Sequence, residues 1–304
     1  MNIDLFQGCY LLAQATETPV ASGLEEMNLF RAIVLGIVQG LTEFLPISSN
    51  AHVKVVPVVL GWGDPGVAFT AVIQLGSIAA ILWYFRDDLR QVVGGMVNAM
   101  RQGKYNSPDF RLGLGILLGT IPIVVCGLAI KTFIPDFDNS PLRNSSTIAI
   151  VSIVMALLLA GAEVLGKRQR SFEALNMKDG IMMGLAQALA LIPGVSRSGS
   201  TLTAGLFMGL ERSTAARFSF LLGIPAITLA GLVELKGLLE GEMGAVGIMP
   251  LIGGLIAAVI SSYLAIFWLI RFLKQHSTWV FVWYRLAFGV AILLAIATNN
   301  MENI

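Results

Sequence analysis

Six long apolar stretches constrain the fold of this chain more than any other feature of its sequence. Each contains about 18 or more mostly apolar residues, the length that an α-helix needs to cross a bilayer. They lie at about 68–85, 111–131, 146–166, 214–238, 246–270 and 279–298. Of all residues, 56% are hydrophobic and only 13% are charged, about half the charged fraction of a typical soluble domain. The sequence therefore predicts an all-α, polytopic helical membrane protein with about six transmembrane helices.

Positively charged residues cluster in alternate connections between these stretches. Lys and Arg are concentrated in the connections at 86–111, 167–178 and 271–274. The positive-inside rule places these three connections in the cytoplasm and both chain termini on the outer side. The formal net charge of +1 provides no long-range field that would attract nucleic acid, so we expect no nucleic-acid partner.

The chain is expected to have one integral-membrane domain, at residues 27–304. Residues 1–26 lack a long apolar run, and we interpret them as a poorly ordered N-terminal extension. A cleaved signal peptide is the alternative, although no positively charged segment precedes its apolar part.

Two segments within this domain combine apolar residues with polar ones and are broken at a proline. Residues 36–52 read GIVQGLTEFLPISSNAH, and residues 184–201 read GLAQALALIPGVSRSGST. The helical pieces on either side of each break are shorter than the roughly 20 residues that a crossing needs. Irregular backbone at membrane depth is tolerated only where protein or water covers it. Both segments therefore predict re-entrant helical hairpins.

The two hairpins resemble each other in sequence and are expected to enter the membrane from opposite sides. Both begin G-x-x-Q-x-L, with Gln187 lying 148 positions after Gln39, and both continue to Pro and then Ser. This predicts an inverted repeat, with repeat 1 at about 27–131 and repeat 2 at about 179–272. Such repeats place their sites near the midplane, where broken helices meet. Chance recurrence in an apolar chain is the alternative.

The first hairpin contains candidate groups for nucleophilic and acid–base chemistry. Ser48 or Ser49 can cap the second half-helix, whose positive dipole end suits an anion. His52 follows Ser49 by one helical turn, so the pair can supply a nucleophile and a proton-transfer group. Glu43 can orient His52, or it can hold a divalent cation together with Gln39. The plainer alternatives are that the serines only cap the helix and that His52 binds a backbone carbonyl.

The second hairpin has the composition of an anion cradle. Arg197 offers a planar, permanently charged fork that matches phosphate oxygens. Glycines allow close backbone approach, and N–H groups with hydroxyls can form an anion nest. The candidates for substrate or phosphate binding, together with Ser48, are Gly194, Ser196, Ser198, Gly199 and Thr201. The alternative is that Arg197 extends outward to the cytoplasmic interface.

Together the hairpins contain a nucleophile, a carboxylate, a histidine and a phosphate clamp, which favours phosphoryl transfer on a lipid phosphate or diphosphate. Two alternatives belong to other classes. Inverted repeats with broken helices also occur in transporters, so a lipid-phosphate transporter or flippase could use the same pocket. An intramembrane protease could use Ser49 with His52, but proteolysis would not require Arg197 and its surrounding hydroxyls.

At these residues the chain resembles the undecaprenyl-diphosphatase family, also called the bacitracin-resistance protein family. Gln39 through His52 is similar to the first motif of that family, and Pro193 through Gly199 is similar to the second. The resemblance covers about 27–298. It implies hydrolysis of undecaprenyl (polyprenyl) diphosphate to the monophosphate and inorganic phosphate. This recycles the lipid carrier of cell-wall synthesis and confers bacitracin resistance.

The resemblance also implies roles for individual residues. The catalytic serine is Ser49 rather than Ser48, with His52, Glu43 and Arg197 as the other catalytic residues. It further implies a divalent cation (Mg²⁺ or Ca²⁺), a homodimer, and a site in the bacterial plasma (inner) membrane that faces the outer, periplasmic side. Gln39 stands where a second motif carboxylate is common, which removes one metal-binding charge. Asn50-Ala51 replaces the usual Thr-Gly, and Ala51 lacks the conformational freedom of glycine.

Overall fold

The structure, a computed structural model, describes residues 27–63, 65–134, 137, 140–237, 247–301 and 303. The predicted N-terminal extension at 1–26 lies outside the described residues. The described part of the chain contains eleven α-helices and no β-strand beyond an isolated bridge. The helices are α1 (Leu29–Phe44), α2 (Ser49–Val59), α3 (Val67–Tyr84), α4 (Arg86–Arg101), α5 (Pro108–Phe133), α6 (Ser145–Leu165), α7 (Met177–Ala188), α8 (Arg197–Phe207), α9 (Arg212–Gly237), α10 (Ile248–Gln275) and α11 (Trp279–Ala297).

Five of these helices are long and apolar enough to cross a membrane: α5, α6, α9, α10 and α11. The stretch predicted at 68–85 forms α3, which meets α4 at a bend of 67°. Counting that bent pair as one span gives six candidate spans. The prediction of an all-α, multi-pass membrane protein is therefore confirmed.

Local sequence signals explain where the first helix of the first hairpin begins and ends and where that of the second begins. α1 begins after Asn28, whose side chain accepts a hydrogen bond from the N–H of Arg31 at 3.0 Å. It ends at Phe44 because Leu45 precedes Pro46 and is extended, with ψ 143°; a residue before proline is disfavoured in a helix. In the second hairpin, Asn176 caps α7 in a reciprocal capping box. Both hairpins thus have a well-defined first helix that stops before the polar break.

The first helix of each hairpin packs against a long helix from the other half of the chain. α1 packs against α10, where Gly36 lies against the backbone of Gly254. α7 packs against α5, where a Cβ atom added at Gly184 would lie 2.1 Å from the carbonyl oxygen of Gly119. Small residues permit such close helix approach in membrane proteins. This reciprocal packing is what an inverted repeat would produce, while the re-entrant placement of each hairpin and the side from which it enters the bilayer stay predictions.

Candidate functional site

The two backbone breaks share an unusual conformation at equivalent serines. Ser48 and Ser196 immediately precede α2 and α8, and their φ angles are 76° and 70°. Positive φ is costly for a residue with a side chain and persists only where the surroundings enforce it. The same strain at matching positions of both hairpins points to a constrained, functional region.

Glu43 and Ser49 come together across the first break. The hydroxyl of Ser49 donates to Oε2 of Glu43 at 2.7 Å. Nε2 of Gln39, one turn earlier on α1, donates to the same oxygen at 3.2 Å. The Glu43 side chain is only 11% exposed. The partner that is placed to accept the proton of Ser49 is therefore Glu43.

Arg197 joins the second hairpin to this carboxylate. Its Nη2 lies 3.5 Å from Oε1 of Glu43, and its side chain is 10% exposed. Nη1 is buried and has no hydrogen-bond partner in the described part of the chain. It lies against Gly223 of α9, where an added Cβ would be 1.6 Å from it. A buried guanidinium nitrogen without a partner is a group that an anionic ligand would satisfy.

The other residues predicted to bind phosphate mostly contact the protein itself. The Ser196 hydroxyl accepts from the N–H of Gly199 at 3.1 Å. Ser198 donates to the carbonyl of Leu45 at 3.0 Å, which ties the two hairpins together. Thr201 donates to the carbonyl of Arg197 at 2.8 Å. The open nest of hydroxyl and N–H donors expected at 194–201 is thus largely occupied, because these groups hold the break in shape.

His52 is not paired with Ser49. Its Nδ1 lies 2.7 Å from the carbonyl oxygen of Ser48, and its Nε2 lies 2.7 Å from the hydroxyl of Tyr284 on α11. The ring stacks on Phe288 with centroids 4.3 Å apart. Both nitrogens are therefore occupied. The structure thus shows the carbonyl-bound arrangement named as the alternative, and direct action of His52 on Ser49 stays a prediction.

Arg285 is a site residue that the sequence analysis missed. It lies in α11, is 1% exposed, and has no carboxylate partner in the part of the chain that the structure describes. Its Nη1 donates to the carbonyls of Pro46 and Val195, both at 3.1 Å, and its Nη2 donates to Gly194 at 2.6 Å. One guanidinium thus fixes both breaks. An arginine in the middle of an apolar stretch was the signal that could have identified it.

A separate group of ion pairs lies at the helix ends predicted to be cytoplasmic. Arg170 pairs with Asp179 at 2.8 and 2.6 Å, and these hydrogen bonds raise the pKa of the Arg170 guanidinium. Glu163 pairs with Arg168 and Arg212. These pairs tie connections to helix ends and are structural, whereas the Glu43–Arg197 pair joins the two hairpin breaks.

A divalent cation would have few protein ligands at this site. In the described residues there is no group of three or more His, Cys, Asp or Glu side chains that could hold a metal ion. The available donors are the carboxylate of Glu43 and the amide of Gln39. Mg²⁺ is commonly bound by one or two carboxylates together with substrate phosphates and water. The donor set fits a cation that is shared with a diphosphate.

Comparison with known proteins gives the family of the chain. A family model described as Bacitracin resistance protein BacA matches residues 32–291. The chain belongs to this family. A relative named undecaprenyl-diphosphatase from Nostoc sp. is 67% identical over 281 residues, which make up 92% of this chain and 88% of the relative. Relatives with the same name from Trichormus variabilis and Synechococcus elongatus are 64% and 65% identical, covering 95% and 93% of this chain and 90% and 98% of the relatives.

The matched range contains both segments that carry the resemblance. These segments meet at the contact between Glu43 and Arg197. The resemblance found in the sequence is therefore confirmed. The fold brings the two motifs into contact at the ends of two broken helices.

Proposed function

We propose that this chain is an integral-membrane phosphatase that hydrolyses undecaprenyl diphosphate to undecaprenyl phosphate and inorganic phosphate. The observation that carries the proposal is that Glu43 contacts both Ser49 and Arg197, which joins the two hairpins. A hydroxyl, a carboxylate and a guanidinium are thus in contact within one buried part of a membrane protein, which supports phosphoryl transfer. The high-identity relatives named undecaprenyl-diphosphatase support the choice of substrate.

In the proposed reaction, Ser49 is the nucleophile and Glu43 is the general base. The Ser49 oxygen attacks the terminal phosphorus, and its proton passes to the Glu43 carboxylate, 2.7 Å away. The bond from phosphorus to the bridging oxygen breaks, and the lipid monophosphate leaves. Water then attacks the same phosphorus, and the bond from phosphorus to the Ser49 oxygen breaks. Ser49 recovers the proton held by Glu43, and the two protons of the water leave with inorganic phosphate. His52 has no direct part in the first proton transfer, because both of its nitrogens are engaged elsewhere.

Arg197 is proposed to stabilise the charge that develops on the transferred phosphoryl group. Its free Nη1 is available for the phosphoryl oxygens, while its Nη2 remains beside Glu43. Catalysis of phosphoryl transfer consists mostly of positioning and electrostatic stabilisation. Glu43 and Gln39 would hold a divalent cation, Mg²⁺ or Ca²⁺, which would neutralise part of the diphosphate charge.

We also propose the cellular setting that the resemblance implies. The site faces the outer, periplasmic side of the bacterial plasma membrane, and the protein forms a homodimer. There it returns the lipid carrier to cell-wall synthesis and confers resistance to bacitracin. The charge distribution of the connections supports this orientation, and cysteine labelling from either side of the membrane at 86–111 would test it.

The proposed activity is tested by phosphate release from undecaprenyl diphosphate with the purified protein in detergent. We expect turnover that falls when a divalent-cation chelator is added and recovers when Mg²⁺ or Ca²⁺ is restored. Membranes from cells without the protein, purified identically, are the control. Folded protein that releases no phosphate with or without cation would contradict the proposal.

A further inference from the structure

We infer that His52 and Tyr284 form a positioning device that holds the strained Ser48 break, rather than a path for the reacting proton. This inference rests on the proposed phosphatase function for its activity tests. The structural evidence for the inference is the hydrogen-bonded arrangement of three groups: the Ser48 carbonyl, the His52 imidazole and the Tyr284 hydroxyl.

The hydrogen-bond partners determine the protonation of the imidazole. The carbonyl oxygen of Ser48, 2.7 Å from Nδ1, can only accept a hydrogen bond. Nδ1 of His52 must therefore carry a proton. In the neutral imidazole, Nε2 is then an acceptor, and the Tyr284 hydroxyl donates to it at 2.7 Å. Such a second partner fixes both the tautomer and the ring orientation of a histidine.

The surroundings keep the ring in this position. His52 is 4% exposed. Its ring lies nearly parallel to Phe288, at 13°, and to Tyr284, at 17°. Turning the ring toward Ser49 would break both hydrogen bonds and both stacking contacts. The hydrogen bonds that run from Tyr284 through His52 end at the Ser48 carbonyl. Because a carbonyl cannot pass a proton onward, this arrangement holds the backbone in place and does not transfer a proton.

The second hairpin shows why the first needs such a device. Ser196 has the same positive φ, and its own hydroxyl stabilises the break by accepting from the N–H of Gly199 at 3.1 Å. The Ser48 side chain makes no capping hydrogen bond. The position equivalent to His52 is Ser200, which donates to the carbonyl of Arg197 instead. His52 thus supplies from one turn away the anchor that Ser196 supplies for itself.

The backbone conformation of Ser48 determines the position of Ser49, the proposed nucleophile. Ser48 is bonded to Ser49, so its φ of 76° sets where α2 begins and where the Ser49 hydroxyl points. That hydroxyl lies 2.7 Å from Glu43. Because small displacements of reacting groups reduce rates strongly, loss of the anchor should lower kcat more than it changes KM.

Two substitutions at His52 separate positioning from proton transfer. The amide nitrogen of His52→Asn can occupy the place of Nδ1 and donate to the Ser48 carbonyl. His52→Gln instead reaches the place of Nε2 and leaves that carbonyl only the longer, 3.3 Å bond from the backbone N–H of residue 52. We expect His52→Asn to keep kcat within about tenfold of wild type and His52→Gln to lose roughly a hundredfold or more. The pH dependence of kcat in His52→Asn should match wild type. Equal inactivation of both variants, or loss of one limb of the pH profile in His52→Asn, would overturn the inference.

Tyr284 is tested by removing only its hydroxyl. We expect Tyr284→Phe to lower kcat by roughly fivefold to tenfold, and to cause no further loss in the His52→Asn background, since the two residues act together. Tyr263→Phe on α10 is the matched control and should behave as wild type. Thermal unfolding in detergent shows whether each variant is folded. A Tyr284→Phe protein indistinguishable from Tyr263→Phe would contradict a role for Tyr284.

A spectroscopic measurement tests the device without any turnover. The chain has two histidines, so ¹⁵N-histidine labelling in a His276→Gln background reports on His52 alone. The ¹⁵N shifts should show the neutral Nδ1–H tautomer, and the Nε2 resonance should move in Tyr284→Phe. A Nε2–H tautomer would overturn the inference even if phosphatase activity were confirmed. The expected tautomer with no phosphate release would instead overturn the proposed function alone.

Discussion

At the scale of residues, Glu43 is the centre of the site. It accepts hydrogen bonds from Ser49 and Gln39 through one oxygen and faces Arg197 through the other. A single carboxylate thus orients the proposed nucleophile, Ser49, and balances the charge of a buried guanidinium. A buried cation is tolerated only when it is paired or hydrogen-bonded, so the two hairpins depend on each other through this contact.

Replacing Glu43 by Gln should remove the general base while keeping the shape of the side chain. We expect kcat for phosphate release to fall by about 10²- to 10⁴-fold, the usual range for a lost acid–base group. The protein should also become less stable, because Arg197 would lose its counter-charge. Steady-state kinetics and thermal unfolding measure the two effects. Glu173→Gln, at an exposed carboxylate bonded to Ser171, is the control, and equal rates in the two variants would exclude Glu43 as the base.

Substitutions at Arg197 should show separately how its positive charge and its two planar donors contribute to turnover. Arg197→Ala is expected to lower kcat by about 10²- to 10³-fold, as seen when one donor to a transition-state oxyanion is lost. Arg197→Lys should recover part of the loss, since it keeps the charge but not two planar donors. Kinetics of the two variants beside wild type give the comparison. Near-normal turnover of Arg197→Ala would show that the clamp assignment is wrong.

At the scale of elements, α11 supports the site that the hairpins form. Adjacent residues of this helix reach both breaks: Tyr284 contacts His52, and Arg285 donates to the carbonyls of Pro46, Val195 and Gly194. Carbonyls exposed at a helix break need donors when water is absent. Arg285 provides them without a carboxylate partner among the described residues.

Arg285→Gln should therefore destabilise the protein. It removes at least two hydrogen bonds from a charged donor to buried carbonyls, and each such bond contributes about 1.5–3 kcal/mol. We expect the free energy of unfolding, measured by denaturant titration in detergent, to fall by about 3 kcal/mol or more. Arg271→Gln is the control, because that side chain lies at the surface over the ring of Phe267, and it should cost about 1 kcal/mol or less. Equal costs would contradict the supporting role of α11.

The elements could be predicted from the sequence more fully than the contacts between them. Apolar length identified the spans, and Pro46 and Pro193 located the breaks, because both signals are local. For the connection at 86–111 the sequence predicted only a cytoplasmic location, yet this connection contains α4, a helix with aspartates in its first turn and an arginine in its last. The partner of His52 lies 232 positions away. Periodicity places His52 on a helix face but does not indicate that Tyr284 occupies the space beside it.

At the scale of the whole molecule, reciprocal packing of the two halves brings the hairpins together. The first helix of each hairpin lies in close contact with a long helix of the other half, at Gly36 with Gly254 and at Gly184 with Gly119. These contacts leave no room for a side chain. The arrangement joins motifs that are about half the chain length apart into one site, which neither half contains alone.

Gly184→Val should disrupt this packing. A Cβ at Gly184 would lie 2.1 Å from the carbonyl oxygen of Gly119, far inside van der Waals contact, so α7 would have to move away from α5. We expect a large loss of monodisperse protein in detergent and a lower Tm, with phosphatase activity lost in proportion. Gly94→Val is the matched control, since nothing lies within 4 Å of a Cβ at that position. Similar yields of the two variants would show that the close approach is not required.

Comparing Ser49→Ala with Ser48→Ala tests whether Ser49 is the nucleophile. The serines are neighbours, but only the Ser49 hydroxyl contacts Glu43, and the Ser48 side chain makes no capping hydrogen bond. The measurement is initial-rate phosphate release from undecaprenyl diphosphate by each purified variant beside wild type. We expect loss of turnover in Ser49→Ala and substantial turnover in Ser48→Ala. Wild-type turnover by Ser49→Ala would contradict its role as nucleophile and, with it, the proposed mechanism.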